Sequence, residues 1–432
     1  MKLILEDADL WLGTRIARGY VIIEDGRIAA VGEGKPSADV TAAEAPYERR
    51  ALGGRLVLPG LINTHNHTPM SLLRGLGEGL VLKRWLEEVM WPKEAAYTDE
   101  DAYWGTLLAQ LEMIETGTTA FAEMYDRIDI IAEAVGQSGL RAVLARGMIG
   151  LGDERTRAAK LAEAVRVAKR WHGAFDGRVT TMIAPHSAYT CPEPFLRDVA
   201  AAAREVGRPI HTHLAETEAE EAAVQASAGM RSTALLEKVG LFDGPALVAH
   251  AVHLTDAEIA LLAARNVRIS HNPVSNLKLG SGIAPLTKLL AAGLVVGLGT
   301  DGPASNNNLD LFEEIRFAAL LAKGMTRDAS HIPPAVALKM ATEDGARALF
   351  LEDVGRLTAG MRADLIVVET SGTPFVPRHD VLAHVVYNGR GTDVFATMVD
   401  GRWLMWNRTV LTLDAERIRY EAERRAARFR AG

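Results

Sequence analysis

Short apolar runs alternate with amphipathic stretches through the middle of this chain. Eight of the runs read as β-strands: residues 56–67, 118–125, 140–149, 179–187, 208–216, 246–253, 267–273 and 294–302. Between them lie stretches of helical period, such as 155–170 and 218–239, and a mixed loop and helix at 70–89. Apolar strands separated by amphipathic helices predict a parallel sheet covered by helices. Eight such units over about 300 residues favour closure into a barrel. The expected fold class is α/β, a (β/α)8 TIM barrel.

The ends of the chain are patterned differently. Residues 2–5, 17–23 and 27–31 read as short strands, and VIIEDGRIAAV sets two apolar runs around Asp25-Gly26, a strong hairpin signal. Residues 355–369 and 393–406 repeat this style, the second stretch bending at Asp400-Gly401. Two β-rich ends are expected to meet in one small β-sandwich made of 1–55 and 355–432, with 56–354 inserted as the barrel domain. No short repeat or low-complexity segment interrupts this plan.

Composition narrows the function classes. Hydrophobic residues make up 48% of the 432 and charged residues 24%, ordinary for a soluble globular protein. A net charge of −7 leaves no basic footprint for nucleic acid. The single cysteine, Cys191, cannot form an internal disulfide, which fits a reducing cytosol. The opening MKLILEDADLWLG meets acids too early for a signal peptide, and no apolar run is long enough to span a bilayer. The expectation is a cytoplasmic protein with neither a membrane nor a nucleic-acid partner. Helical stretches such as 327–350 leave room for a homo-oligomer.

The polar residues at the strand ends carry the chemistry. His65 and His67 stand two apart on the first strand, so both side chains share a face. His211 and His213 repeat the spacing on the fifth. His213 is nearer the C-terminal end and is the better ligand; His211 lies one layer deeper, behind the site or in the core. Asp301 ends the eighth strand between Gly299 and Gly302, glycines that let the backbone turn sharply. Alone, an HxH pair reads as core histidines and Asp301 as a turn residue. At the C-terminal tips of one barrel they become a site for a divalent metal, most often zinc. A carboxylate there can bind metal and take a proton from water. The fourth strand carries His186 and ends in no lysine, so no carboxylated lysine bridges two metals, and one ion is expected. His250 ends the sixth strand, with His253 facing loop or solvent. Glu216, three residues past His213, can reach substrate or can simply serve a helix N-terminus. Glu94, in Trp91-Pro92-Lys93-Glu94, follows the first strand by a loop of lid length. There is no convincing Ser or Cys triad, and the paired-cysteine signature of the zinc cytidine deaminases is missing.

Seven stretches complete the reading: PGLINTHNHTPMSLLRG, WPKEAAYTDEDAYWGTLLAQLEMIETGTTAFAEMY, APHSAYTCP, HTHLAETEAE, LVAHAVHLTDAEIALLA, SHNPVSNLKLGSGIAP and GLGTDGPASNNNLDLFEEIR. Through them the chain resembles the amidohydrolase superfamily, and within it the 5-methylthioadenosine/S-adenosylhomocysteine deaminases, with the triazine hydrolases behind. The resemblance implies that His65, His67, His213 and Asp301 hold the metal. It implies that Glu216 protonates the heteroaromatic ring, that His250 orients or polarises water, and that Glu94 binds the ribose hydroxyls. His186 then hydrogen-bonds substrate near sugar and ring, and Arg146 meets a homocysteine carboxylate. A second arginine belongs in the next loop, where Arg155 or Arg157 stands, or neither fills the role. The implied reaction is hydrolytic deamination of the adenine ring of S-adenosylhomocysteine, methylthioadenosine or adenosine. Hydrolysis of an s-triazine, or of a guanine or 8-oxoguanine type ring, is the alternative.

Overall fold

Gly60 splits the first of those eight runs. Its N–H donates to Asp364 O at 3.0 Å, while the N–H of Leu61 donates to Gly117 O at 3.1 Å. A Cβ on Gly60 would sit 2.0 Å from Thr119 Oγ1, so no larger residue fits where the chain crosses from one sheet into the other. The computed structural model describes residues 2–36 and 47–430; the rest of the N-terminal β-rich piece, 37–46, lies outside the described residues.

In chain order the strands are β1 (Lys2–Trp11), β2 (Ile16–Glu24), β3 (Arg27–Glu33), β4 (Glu48–Ala51) and β5 (Leu56–Pro59). The barrel follows with β6 (Leu61–Asn63), β7 (Thr118–Tyr125), β8 (Arg141–Met148), β9 (Val179–Pro185), β10 (Ile210–Leu214), β11 (Ala246–His250), β12 (Arg268–His271) and β13 (Val296–Leu298). The chain ends with β14 (Leu365–Val368), β15 (Val394–Val399), β16 (Arg402–Trp406) and β17 (Thr409–Val410), then the helix Ala415–Arg430.

β6 to β13 pair in sequence order, every ladder parallel. Closure comes from two backbone bonds between the ends of β6 and β13: Thr64 N–H to Leu298 O at 2.9 Å and Asp301 N–H to His65 O at 3.0 Å. Helices such as Asp99–Thr116, Glu154–Trp171, Glu193–Val206 and Leu311–Thr326 cover the outside. The stretch 218–239 is two helices, Glu218–Ala228 and Ser232–Lys238, broken where Gly229 adopts a φ of 70°. The stretch 327–350 is likewise not one exposed helix. Pro333 and Pro334 restrict its start, and Pro334–Met340 and Glu343–Ala348 bury Ala337, Leu338, Met340 and Ala346 against the barrel.

The two termini share one nine-stranded mixed sheet, in which β5 pairs parallel to β1 on one side and antiparallel to β14 on the other. Leu3, Leu5, Val21, Ile23, Val57, Leu365, Val367 and Met398 form its own core. The turns Asp25-Gly26 and Asp400-Gly401 have positive φ at both residues, the requirement of the tight hairpin turn. They meet each other: Ala363 bridges them, its N–H donating to Gly26 O at 2.8 Å and its carbonyl accepting from Gly401 N–H at 3.0 Å, and a Cβ on Gly26 would lie 2.8 Å from Asp400 O. No helix among the described residues is long and apolar enough to cross a membrane.

Candidate metal centre and cavity

His65, His67, His213 and Asp301 come together at the C-terminal mouth of the barrel, their ligand atoms all within 4.8 Å of one another. Asp301 Oδ1 lies 3.3 Å from His65 Nε2 and 3.2 Å from His67 Nε2. The other atom of each side chain is anchored. The Nδ1–H of His67 donates to Met124 O at 2.6 Å, and that of His213 to His186 O at 2.7 Å. A carbonyl can only accept, so each of these rings carries its proton on Nδ1 and presents the Nε2 lone pair to the cluster. His65 Nδ1 is hydrogen-bonded to His211 Nε2 at 3.0 Å, which places His211 behind the site. Asp301 Oδ2 accepts from the hydroxyls of Ser275 and Ser305, both at 2.7 Å, so Oδ1 is the oxygen left facing the histidines.

The donor set, three imidazoles and a carboxylate, fits a single divalent ion such as zinc. His65 Nε2 supplies a structural test of that fit: it is fully buried, aims into the cluster and has no hydrogen-bond partner. Such an orphaned atom is costly unless a ligand satisfies it. Anchored far nitrogens are also what metal-binding imidazoles need in order to hold their orientation.

The backbone is strained where the strands end. Ala215, His250, Ala251 and Asp301 have φ of 49°, 74°, 52° and 60°. Each such non-glycine residue costs about 1–3 kcal/mol, which the surrounding fold offsets. At the last strand the sharp turn therefore falls on Asp301 itself. Gly299 and Gly302 have another role: a Cβ at Gly299 would lie 2.5 Å from Asn272 Oδ1 and 2.8 Å from His65 N, and one at Gly302 3.0 Å from Met70 Sδ. They allow close approach, not turning.

A cavity of about 380 Å³ opens over the cluster. Glu216, His250, His186, Glu94 and Arg146 all line it, along with His67, His213 and Asp301. Glu216 is buried; Ser281 Oγ donates to its Oε1 at 3.2 Å, and His250 Nε2 is 3.6 Å from Oε2. Burial, reinforced by the charges of Asp301 and Glu220, holds the Glu216 carboxyl well above the usual range. His250 Nδ1 faces two side-chain amides, Asn276 Nδ2 at 2.8 Å and Asn272 Nδ2 at 3.4 Å. Two donors make Nδ1 the acceptor and leave Nε2–H as the donor towards Glu216 and the cavity. Burial brings His250 and His186 down to about 3, so both rings are neutral at ordinary pH. His186 Nδ1 is held by Thr190 Oγ1 at 3.0 Å.

Glu94 sits at the far side, on the short helix Trp91–Glu94 and not in a loop. Tyr125 OH donates to its Oε1 at 2.5 Å. Burial raises its carboxyl to about 7, with the Tyr125 hydroxyl and His67 pulling against that shift. Arg146 reaches the cavity from β8 while its Nε donates to Glu163 at 3.0 Å. Neither Arg155 nor Arg157 lines the cavity; the second cation there is Lys160, whose Nζ also donates to Ile149 O at 2.7 Å. It comes three residues beyond Arg157, on the same face of the helix Glu154–Trp171, and the helical period of that stretch is the signal that could have pointed to it. Ser305 belongs to a polar run that the sequence itself sets beside Asp301, whereas Ser275, Asn276, Tyr125 and Tyr189 are site residues that the sequence does not single out. Hydroxyls and amides at a barrel rim have no sequence signal beyond their place in the strand-end motifs. His253 faces a loop, its Nε2 bonded to Ser281 O at 2.7 Å.

Eight parallel strands with three histidines and an aspartate converging at their C-terminal mouth define a hydrolase barrel built around one metal ion. The chain belongs to the amidohydrolase family, whose model matches residues 56–404. It is 49% identical over 373 residues to a 5-methylthioadenosine/S-adenosylhomocysteine deaminase of Dictyoglomus thermophilum, covering 86% of this chain and 87% of that one. It is 48% identical over 408 residues to a 5′-deoxyadenosine deaminase of Methanosarcina acetivorans, covering 94% and 92%. Among solved structures, an adenosine deaminase from Xanthomonas campestris with bound zinc superimposes with a TM-score of 0.94 at 34% identity, covering 100% of this chain and 99% of that one.

Proposed function

We propose that this protein is a zinc-dependent hydrolytic deaminase that converts the adenine ring of S-adenosylhomocysteine, methylthioadenosine or a related adenosine to the hypoxanthine product, releasing ammonia. The observation that carries this reading is the pairing of Glu216, a buried carboxyl, with His250 at 3.6 Å beside the His65–His67–His213–Asp301 cluster. Deamination of an aromatic amidine needs an acid to protonate ring N1 as water adds at C6, and Glu216 is that acid. His65, His67, His213 and Asp301 would hold the zinc, whose Lewis acidity brings the pKa of water towards neutrality. Asp301 accepts the proton of the attacking water at Oδ1, since its Oδ2 is already held by two serine hydroxyls. His250 donates through Nε2–H to the oxygen being added at C6. The proton held by Asp301 then passes to the amino group, ammonia leaves as the new C6 hydroxyl returns a proton to Glu216, and both carboxyls regain their starting states.

At the other end of the cavity, Glu94 accepts from the ribose hydroxyls, and His186 hydrogen-bonds near sugar and ring. Arg146, with Lys160 beside it, faces the 5′ substituent. Similarity to the two deaminases above supports the substrate class. The test is to give zinc-loaded protein S-adenosylhomocysteine, methylthioadenosine, 5′-deoxyadenosine and adenosine and to follow ammonia. Release from at least one is expected; release from none sinks the proposal.

A further inference from the structure

The C-terminal helix, Ala415–Arg430, ends against the segment that carries Glu94. Lys93 Nζ donates to Phe429 O at 2.8 Å. Arg428 donates to Ala96 O at 3.3 Å and to the Asp101 carboxylate. Arg425 reaches Asp101 Oδ1 at 3.4 Å and Glu100 Oε2 at 2.5 Å. The rings of Phe429 and Tyr97 are 5.1 Å apart, and Tyr97 OH donates to Pro69 O at 3.1 Å. Asp101 has no exposure to solvent and also closes the capping box with Thr98 that starts the helix Asp99–Thr116. An ammonium at the last carbonyls of a helix is in a favourable field, because those carbonyls lack partners within the helix.

The opposite end of the same segment is held by less: Gly75 N–H donates to Asn307 Oδ1 at 3.3 Å, and Glu78 lies 3.9 Å from Lys278 Nζ. Gly75, Gly77 and Gly79 all have positive φ, a Cβ on Gly75 or Gly79 would meet nothing within 4 Å, and Val81 is 60% exposed. From there the chain runs through Leu82–Arg84, Trp85–Met90 and Trp91–Glu94, and Leu82, Trp85, Leu86 and Trp91 cover the cavity before Glu94 is reached. The covering segment is thus held by few exposed contacts where it leaves the barrel and by a denser set where Glu94 stands.

We infer that the C-terminal helix sets the position of Glu94 and so the affinity for the ribose, with Lys93 as the positioning residue that transmits the contact. Lys93 lines no part of the cavity, so it acts through its neighbour and not on substrate. The inference rests on the reading of Glu94 as the ribose-binding carboxylate.

Full-length zinc-loaded protein, its Lys93→Met and Glu94→Gln variants and the double variant are compared on an adenosine-type substrate and on its 2′,3′-dideoxy analogue. Lys93→Met is expected to raise KM for the hydroxylated substrate by about threefold to tenfold with kcat changed less than about twofold, a loss of binding shared by ground and transition states. Zinc content stays the same, the dideoxy analogue is barely affected, and the effect vanishes in the Glu94→Gln background, where the coupled partner is gone. Arg428→Met, which loosens the same clamp at Asp101 and Ala96, should shift KM in the same direction. An unchanged KM in Lys93→Met, or an equal rise with Glu94 already replaced, overturns the inference while leaving the Glu94 reading intact. If Glu94→Gln alone leaves KM unchanged for the hydroxylated substrate, the ribose reading fails and the inference with it.

Discussion

The backbone N–H of Asp301 donates to the carbonyl of His65 at 3.0 Å, so one of the two bonds that close the barrel joins its first metal ligand to its last. Metal binding and barrel closure therefore stabilise the same contact. A ligand bound only by the folded state at a hundred times its dissociation constant adds about 2.7 kcal/mol. Chelation should lower the melting temperature measured by calorimetry, and re-addition of zinc should restore it. His213→Ala should lose metal by elemental analysis while keeping the circular dichroism of the fold.

Ser275 and Ser305 hold the outer oxygen of Asp301 and so fix which oxygen faces the histidines. Replacing both with alanine should weaken zinc binding roughly 10- to 100-fold, the usual effect of removing a partner that orients a ligand. Competition against a chelator of known affinity measures it. Unchanged affinity would mean the two hydroxyls are merely local packing.

In the proposed mechanism Glu216 acts as an acid, so it must be protonated to work. Burial holds its carboxyl well above the ordinary range, so activity should fall as pH rises through that raised value. Glu216→Gln keeps the shape and removes the proton, and kcat should drop by about 10²- to 10⁴-fold. The pH profile of kcat/KM and the variant's kcat are the two readouts.

Glu94 works in the opposite sense. It accepts hydrogen bonds best when ionised, and its value is about 7. As pH falls from 8 to 6 it takes up a proton, and KM for a ribose-bearing substrate should rise roughly threefold to tenfold. Glu94→Gln should raise KM at every pH and flatten the profile.

At the closed end of the barrel, Arg141 on β8 is buried between Asp364 and Asp400, with Nε to Asp364 Oδ2 and Nη2 to Asp400 Oδ1 both at 2.8 Å. Arg141→Met leaves a buried carboxylate without its cation and should cost about 3–5 kcal/mol by denaturant titration. Activity per folded molecule should hold, because these groups lie at the opposite end from the cavity.

Much of the site was legible because a barrel places strand ends together whatever the loops do. His213 and His250 lie on the strands expected for them, whereas His65 and His67, expected on the first strand, follow the end of β6 at Asn63, and Asp301 follows the end of β13 at Leu298; order along the chain still brings all five to one mouth. What failed depended on distance between remote segments. Gly60 splits a run that looks like one strand only because Thr119 and two different sheets crowd it. The glycines around Asp301 looked like turn residues, but they make room for Asn272 and Met70. Lys160 replaces the arginines expected nearby because the register of the helix Glu154–Trp171 decides which side chain meets the cavity.

The pairing of β5 with both β1 and β14 also bears on how the protein is made. β5 leaves the ribosome beside β1, yet its other neighbour, β14, follows about 300 residues later, a contact of very high sequence separation. During synthesis that edge stays open while the whole barrel is added, and open strand edges invite pairing with other chains. A nascent chain stalled before Leu365 should therefore be the aggregation-prone species, even with every metal ligand already in place.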